Sequence, residues 1–119
     1  MKTKIKQAIY SYCKENSDVT YNEIEQIFTA NGYHWKGNYS SRSEADENVI
    51  FWTGWSKAAF DLIGDMIRNG NLIRNPCDSL LYLIDGKILT LPPVQHPPKD
   101  GYKKLHWLPW AFDIGENEL

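Results

Sequence analysis

A helical repeat of apolar side chains between residues 55 and 67 constrains the fold more than any other feature of the sequence. The repeat consists of Trp55, Ala59, Leu62, Ile63, Met66 and Ile67. Apolar residues spaced by three and four positions form one face of an amphipathic helix. Thr53 and Ser56 are both residue types that cap helix N-termini, and Gly70 suits a left-handed C-terminal end. The sequence therefore predicts a helix that begins near Thr53 or Ser56, buries one stripe and ends at Gly70.

Two further helices are predicted before this one. Residues 3–15 place apolar side chains on a single helical face, namely Ile5, Ala8, Ile9, Tyr12 and Cys13. The second helix has a clear start, because Thr20 and Glu23 have the spacing of a capping box. It is expected to end at Gly32.

The residues after the third predicted helix are typical of a small antiparallel sheet. Three short extended segments are predicted, at Leu72–Arg74, Leu80–Ile84 and Lys87–Leu91. Asp85 and Gly86 separate the last two, and an Asp-Gly pair between apolar runs favours a type I′ hairpin turn. Pro92 and Pro93 then end the predicted β-meander.

Two segments show no regular period. Residues 33–52 are rich in aromatic and small polar residues and predict a long loop, with a short extended piece at Val49–Trp52. Residues 96–119 contain the apolar stretch "LHWLPWAF" and predict an extended C-terminal arm on a domain formed by residues 1–95. The arm packs either on its own domain or on a second subunit, which would give a homodimer.

Three helices followed by a β-meander resemble a winged helix-turn-helix domain. The closest local likeness is "AAFDLIGDMIRNGNLIR", residues 58–74, where apolar helix positions precede a glycine, an apolar pair and a basic residue. Val19 and Thr20 resemble the short first strand and its cap. The resemblance covers about residues 3–91 and implies an α+β, winged-helix-like fold with a long loop between the second and third helices and a C-terminal arm.

This resemblance implies a DNA-binding module, such as a transcriptional or mobile-element regulator, whose third helix enters the major groove of duplex DNA. The DNA-binding residues it implies are Ser56, Lys57, Arg68 and Arg74, joined by Lys36 and Arg42 from the loop. Two features depart from the pattern. Asp61 and Asp65 lie on the helix face that would meet the phosphates, and a loop of about 20 residues replaces the usual turn of about 3–4 residues.

The alternative is a protein-interaction or inhibitor module that does not bind DNA. Its candidate contact residues are Trp35, Tyr39, Trp52, Trp107 and Trp110. Aromatic residues anchor protein interfaces and also stack on single-stranded bases, but the same rings can fold back over the helices. Asp61 and Asp65 separate the two hypotheses. A net acidic third-helix face favours a protein partner, whereas one basic patch of Lys57, Arg68 and the N-terminal lysines favours DNA.

No enzymatic activity, metal site or cofactor is expected. His34, His96 and His106 are scattered, without the spacing of metal ligands, and Cys13 and Cys77 are expected to be free thiols. The formal net charge of −2 argues against a protein that coats nucleic acid regardless of sequence. No apolar run approaches the ~18 residues of a membrane span, so no membrane partner is expected and the location is expected to be cytoplasmic.

Overall fold

The computed structural model describes residues 2–119, apart from the side chain of Asp85. Within this range the chain forms four helices and six strands. In chain order they are α1 (Lys2–Glu15), β1 (Val19–Thr20), α2 (Tyr21–Ala30), β2 (Lys36–Arg42), β3 (Val49–Trp55), α3 (Lys57–Arg68), β4 (Leu72–Pro76), α4 (Leu80–Asp85), β5 (His106–Trp107) and β6 (Trp110–Ile114).

The three helices predicted from the sequence are confirmed as α1, α2 and α3. The Thr20 hydroxyl accepts a hydrogen bond from the Glu23 amide at 3.1 Å, and the Glu23 carboxylate accepts one from the Thr20 amide at 3.4 Å. Ser56 caps α3 by accepting from the Ala59 amide at 3.1 Å. Trp55, which the helical repeat assigns to this helix, is instead the last residue of β3, although its side chain is fully buried.

The winged-helix-like fold class is wrong. The chain does not form three helices followed by a β-meander, because the described residues contain a fourth helix and two three-stranded sheets. The first sheet is antiparallel and has the order β1-β6-β4. The second has the order β2-β3-β5, with β2 antiparallel and β5 parallel to β3. The two edge strands of the first sheet, β1 and β4, therefore both precede its central strand, β6, in the chain.

The long loop predicted over residues 33–52 is wrong for most of its length, since β2 lies within it, but the short extended piece predicted at Val49–Trp52 is confirmed as the first part of β3. Ser41 is paired with Trp52 and Arg42 with Ile50, and the register shifts at several points along the pair. The side chains of β2 are mostly exposed and show no alternation of apolar and polar residues. Periodicity therefore could not identify this strand, and its pairing with the buried strand β3 defines it.

The segment after β4 differs from the prediction as well. Leu80–Ile84 belongs to α4 and not to a strand, Gly86 caps that helix with a φ of 85°, and Lys87–Leu91 forms no strand. A short apolar run does not distinguish a strand from a buried helical turn. The helical form directs the Tyr82 side chain into the core, where its hydroxyl donates to the Trp110 carbonyl at 2.6 Å.

The C-terminal segment is integrated into both sheets. β6 lies between β1 and β4, with Val19 opposite Phe112 and Leu72 opposite Ile114. The Trp107 side chain is fully buried. The apolar stretch predicted as an arm thus supplies the central strand of one sheet and an edge strand of the other within the same chain.

The core is rich in aromatic side chains and lies between the two sheets and the helices. Its largest buried side chains are Trp52, Trp55, Trp107, Tyr21, Tyr82, Phe28 and Phe112. Tyr21 is central to this group, since its ring is stacked with Trp52 at a centroid distance of 5.8 Å and meets Phe112 edge-on at 4.9 Å. Among residues 2–119, no helix has the length and apolar character needed to cross a membrane.

Candidate functional site

A cleft of about 550 Å³ opens between the β2–β3 hairpin, α3 and β4, and three arginines line it. We call it the arginine cleft, and its charged lining residues are Arg42, Arg68, Arg74 and Glu44. Arg42 comes from the end of β2, Arg68 from the end of α3 and Arg74 from the middle of β4. Three elements that are distant in sequence therefore direct positive charge toward one concave space.

Arg74 occupies the most protected position of the three. Its guanidinium carbon lies 4.9 Å from the centre of the Phe51 ring and 5.1 Å from that of Trp110, which is cation–π geometry. The side chain is half-buried, and no carboxylate that the structure describes forms an ion pair with it. A partly desolvated cation without a counter-charge is suited to receive an anion.

Arg42 and Arg68 are more exposed and lie toward the rim of the arginine cleft. Arg42 donates to the backbone carbonyl of Glu47 at 3.2 Å and has no ion pair within the described part of the chain. Arg68 pairs with Asp65 one helical turn away, and 69% of its side chain is accessible. A methyl group on Gly64 would lie 3.5 Å from the Arg68 guanidinium. The Arg68 side chain thus lies back along the surface of α3 over Gly64, which has no side chain.

Hydroxyl groups add neutral hydrogen-bond donors to the arginine cleft. Tyr21, Ser41 and Ser43 all line it. Burial raises the pKa of the Tyr21 phenol above its usual value, and this outweighs the opposite effects of Arg74 and Ser41 beside it. The Tyr21 hydroxyl consequently stays protonated at physiological pH and is able to donate.

The other residues predicted to contact DNA are placed elsewhere. The Lys36 ammonium lies 5.7 Å from the ring centre of Trp35, and Ser56 is occupied in capping α3. Lys57 forms an ion pair with Asp61 at 2.8 Å. Since Arg68 is also paired with Asp65, the outward side of α3 carries balanced charge. It is neither the net acidic face nor the basic patch that the sequence left as alternatives.

The aromatic residues predicted to contact a protein partner divide into three groups. Trp52 and Trp107 are buried, with relative exposures of 0% and 2%. Trp35 and Trp110 are partly buried, the first donating to the Thr29 hydroxyl at 3.0 Å and the second lying beside Arg74. Tyr39 is 55% exposed. Of the five residues, Tyr39 presents the largest fraction of its surface to solvent.

Sequence reasoning did not identify Tyr21 and Ile63 as lining residues of the arginine cleft. Both have the local pattern of ordinary core residues, and they join Phe51 and Phe60 in its apolar and aromatic lining. The run "SSRS" at 40–43 was the available signal, because small hydroxyl side chains flank an arginine there. Their relation to Arg74 depends on sheet pairing, which no local pattern reveals.

Neither a cluster of metal ligands nor an activated thiol is found among the described side chains. No three His, Cys, Asp or Glu side chains in this set are grouped in a way that could hold a metal ion. Burial, with smaller contributions from Asp113 and Glu23, raises the pKa of Cys13 to about 12, and burial likewise raises that of Cys77 to about 11. Both thiols are therefore poor nucleophiles. The chain matches no protein-family model, no curated protein and no solved structure in the three comparisons made.

Proposed function

We propose that the protein binds nucleic acid through the arginine cleft, with the guanidinium groups of Arg42, Arg68 and Arg74 contacting phosphate. The observation that carries this proposal is the half-buried Arg74, which lies against two aromatic rings and has no ion pair with the described side chains. Arginine is the side chain best suited to phosphate, because its planar fork matches two phosphate oxygens. A cytoplasmic location stays a prediction from the sequence.

The mode of binding differs from the groove insertion implied by the sequence resemblance. A duplex is read by convex elements that enter its grooves, and the exposed side of α3 has its cations paired with Asp61 and Asp65. The arginine cleft is concave, so a strand of nucleic acid would enter the cleft, whereas in groove insertion an element of the protein enters the nucleic acid. Single-stranded DNA is therefore expected to bind more tightly than duplex DNA of the same sequence.

Salt dependence gives a first measure of the number of phosphate contacts. Three contacts to a single strand predict that the logarithm of the binding constant falls with the logarithm of salt concentration with a slope of about −2. The net charge of −2 gives no general attraction to nucleic acid, so this slope reports local contacts. Removing one arginine contact should reduce it by about 0.7.

The experiment is fluorescence anisotropy of labelled mixed-sequence DNA, single-stranded and duplex, at low and at physiological salt. Arg42→Gln is the main variant, since this exposed side chain has no ion pair in the described structure. Lys57→Gln is the matched control, because it removes the same charge at an exposed position outside the arginine cleft. We expect roughly tenfold weaker binding for Arg42→Gln and little change for Lys57→Gln.

Two results would contradict the proposal. The first is absence of binding by the unaltered protein to either form of DNA at low salt. The second is equal weakening by Arg42→Gln and Lys57→Gln, which would mean that only overall charge matters. Arg74→Gln, checked for folding by circular dichroism, then extends the comparison to the half-buried cation.

A protein-interaction module is the second candidate, and a different surface favours it. Leu80, Leu83 and Ile84 of α4 are 60%, 57% and 83% exposed. Clustered apolar side chains of this kind are typical of protein interfaces. In the homodimer expected from the sequence, the partner would be a second copy of the chain. Light scattering of the unaltered protein and of Ile84→Lys tests it, since a dimer formed through α4 should dissociate in that variant.

A further inference from the structure

The floor of the arginine cleft has the properties of a receptor for one phosphate group. The Arg74 guanidinium is fixed between Phe51, Trp110 and the Tyr21 hydroxyl, so little conformational freedom is lost when an anion binds. In contrast to Arg68, it is not ion-paired with any described carboxylate, so none has to be released first. Its guanidinium is therefore available for a bidentate contact.

The number of donors distinguishes a terminal phosphate from one within a strand. A phosphomonoester carries a charge near −2 and three acceptor oxygens, whereas an internal diester carries a single charge. Arg74 is accompanied by the hydroxyls of Tyr21, Ser41 and Ser43. The guanidinium fork and these neutral donors match the three free oxygens of a phosphomonoester better than the two of a diester.

The size of the arginine cleft suits the end of a strand better than a long run of nucleotides. Its volume of about 550 Å³ is in the range of sites that hold a single small molecule. Buried Tyr21, Phe51 and Ile63 close its floor. Phe60 and Ile67 on α3 are partly exposed and give an apolar wall against which a sugar and base could rest.

We propose that the arginine cleft receives the terminal phosphomonoester of a nucleic acid strand, with Arg74 contacting the phosphate and Arg42 and Arg68 contacting the adjoining backbone. This inference rests on the proposed nucleic-acid binding and specifies which part of the strand is recognised. A 5′-phosphate and a 3′-phosphate present the same group, so experiment must decide between the two ends.

The test uses three single-stranded DNA oligonucleotides of one sequence, with a 5′-phosphate, with a 3′-phosphate and with two hydroxyl ends. The fluorophore is attached at an internal position in all three. We expect one phosphorylated strand to bind about tenfold more tightly than the hydroxyl strand. Arg74→Lys should abolish this preference, because it keeps the charge but removes the fork, and Lys57→Gln should retain it.

Each other outcome has a defined meaning. Equal affinity for the three strands overturns end recognition while nucleic-acid binding stands, and absence of binding to all three overturns both. A phosphoserine peptide that binds as tightly as the phosphorylated strand would overturn the assignment to nucleic acid. If Arg74→Lys fails to fold, Ser41→Ala, which removes one of the hydroxyls that accompany Arg74 in the arginine cleft, replaces it. A preference for the phosphorylated end that is unchanged in the variant that folds would overturn the role of the arginine cleft.

Discussion

The indole nitrogen of Trp52 donates a hydrogen bond of 2.8 Å to the buried carboxylate of Glu25. Trp55 donates to the same oxygen at 2.9 Å, and the Lys87 ammonium donates to the other oxygen at 2.7 Å. A buried carboxylate is stable only when such partners replace its water. Trp52 and Trp55 thus connect β3 to α2 through Glu25, and both side chains are part of the core.

The Glu25 contacts predict a measurable coupling with Lys87. Glu25→Gln replaces one acceptor oxygen by a donor and should lower the free energy of unfolding by about 2 kcal/mol. Lys87→Met leaves the carboxylate without its cation, but the lysine side chain is 47% exposed, so solvent moderates the loss to about 1 kcal/mol. In urea unfolding followed by tryptophan fluorescence, the double variant should lose less than the two single losses combined. Additive losses would show that the pair is not coupled.

Two tryptophans near the C-terminus provide a matched test of hydrogen bonding. The Trp107 indole donates to the Phe51 carbonyl at 3.1 Å, whereas the buried Trp110 indole nitrogen has no hydrogen-bond partner among the described residues. Trp107→Phe should therefore be more destabilising than Trp110→Phe by about 1–2 kcal/mol, since it leaves a buried carbonyl unpaired and a larger void. Chemical denaturation of both variants measures the difference. Equal losses would contradict the assigned bond.

Two glycines are expected to respond oppositely to alanine. Gly64 lies inside α3, where an added methyl group would meet Arg68 at an ordinary 3.5 Å. Gly64→Ala should stabilise the protein by about 1 kcal/mol through helix propensity. At Gly37 the added atom would lie 2.7 Å from the backbone of Ser56, and Gly37→Ala should cost about 2 kcal/mol. Thermal unfolding of the two variants checks both signs, and a destabilised Gly64→Ala would contradict an ordinary contact between the added methyl group and Arg68.

The two thiols, one buried and one partly buried, predict a loss of stability at alkaline pH. Burial raises the pKa of Cys13 from 9.0 to about 12 and that of Cys77 from 9.0 to about 11. The unfolded chain then releases these protons at lower pH than the folded chain. The stabilisation that the protonated thiols give to the folded state is therefore complete below about pH 9 and declines between about pH 9 and 12. Unfolding free energy measured across this range should fall, and less steeply in Cys13→Ala. Iodoacetamide at about pH 8 should label the folded protein slowly and the unfolded protein quickly at both thiols.

Local signals in the sequence were sufficient for several elements. The capping box of Thr20 and Glu23, the apolar stripe of α3 and the extended residues from Leu72 depend on neighbours a few positions away, and each is present as predicted. Asp85-Gly86 shows the limit of such signals. Gly86 does adopt a positive φ, but it ends α4 instead of turning a hairpin.

The tertiary structure decided the sheets and the candidate site. β6 enters between β1 and β4 from nearly a hundred residues beyond β1, with Val19 paired to Phe112, and periodicity carries no information about such pairing. Arg42, Arg68 and Arg74 could each be selected from the sequence as cations. Their convergence on one cleft, and the separation of Lys36 and Lys57 from it, follow from the packing of β2, α3 and β4, which is set by contacts between residues far apart in the chain.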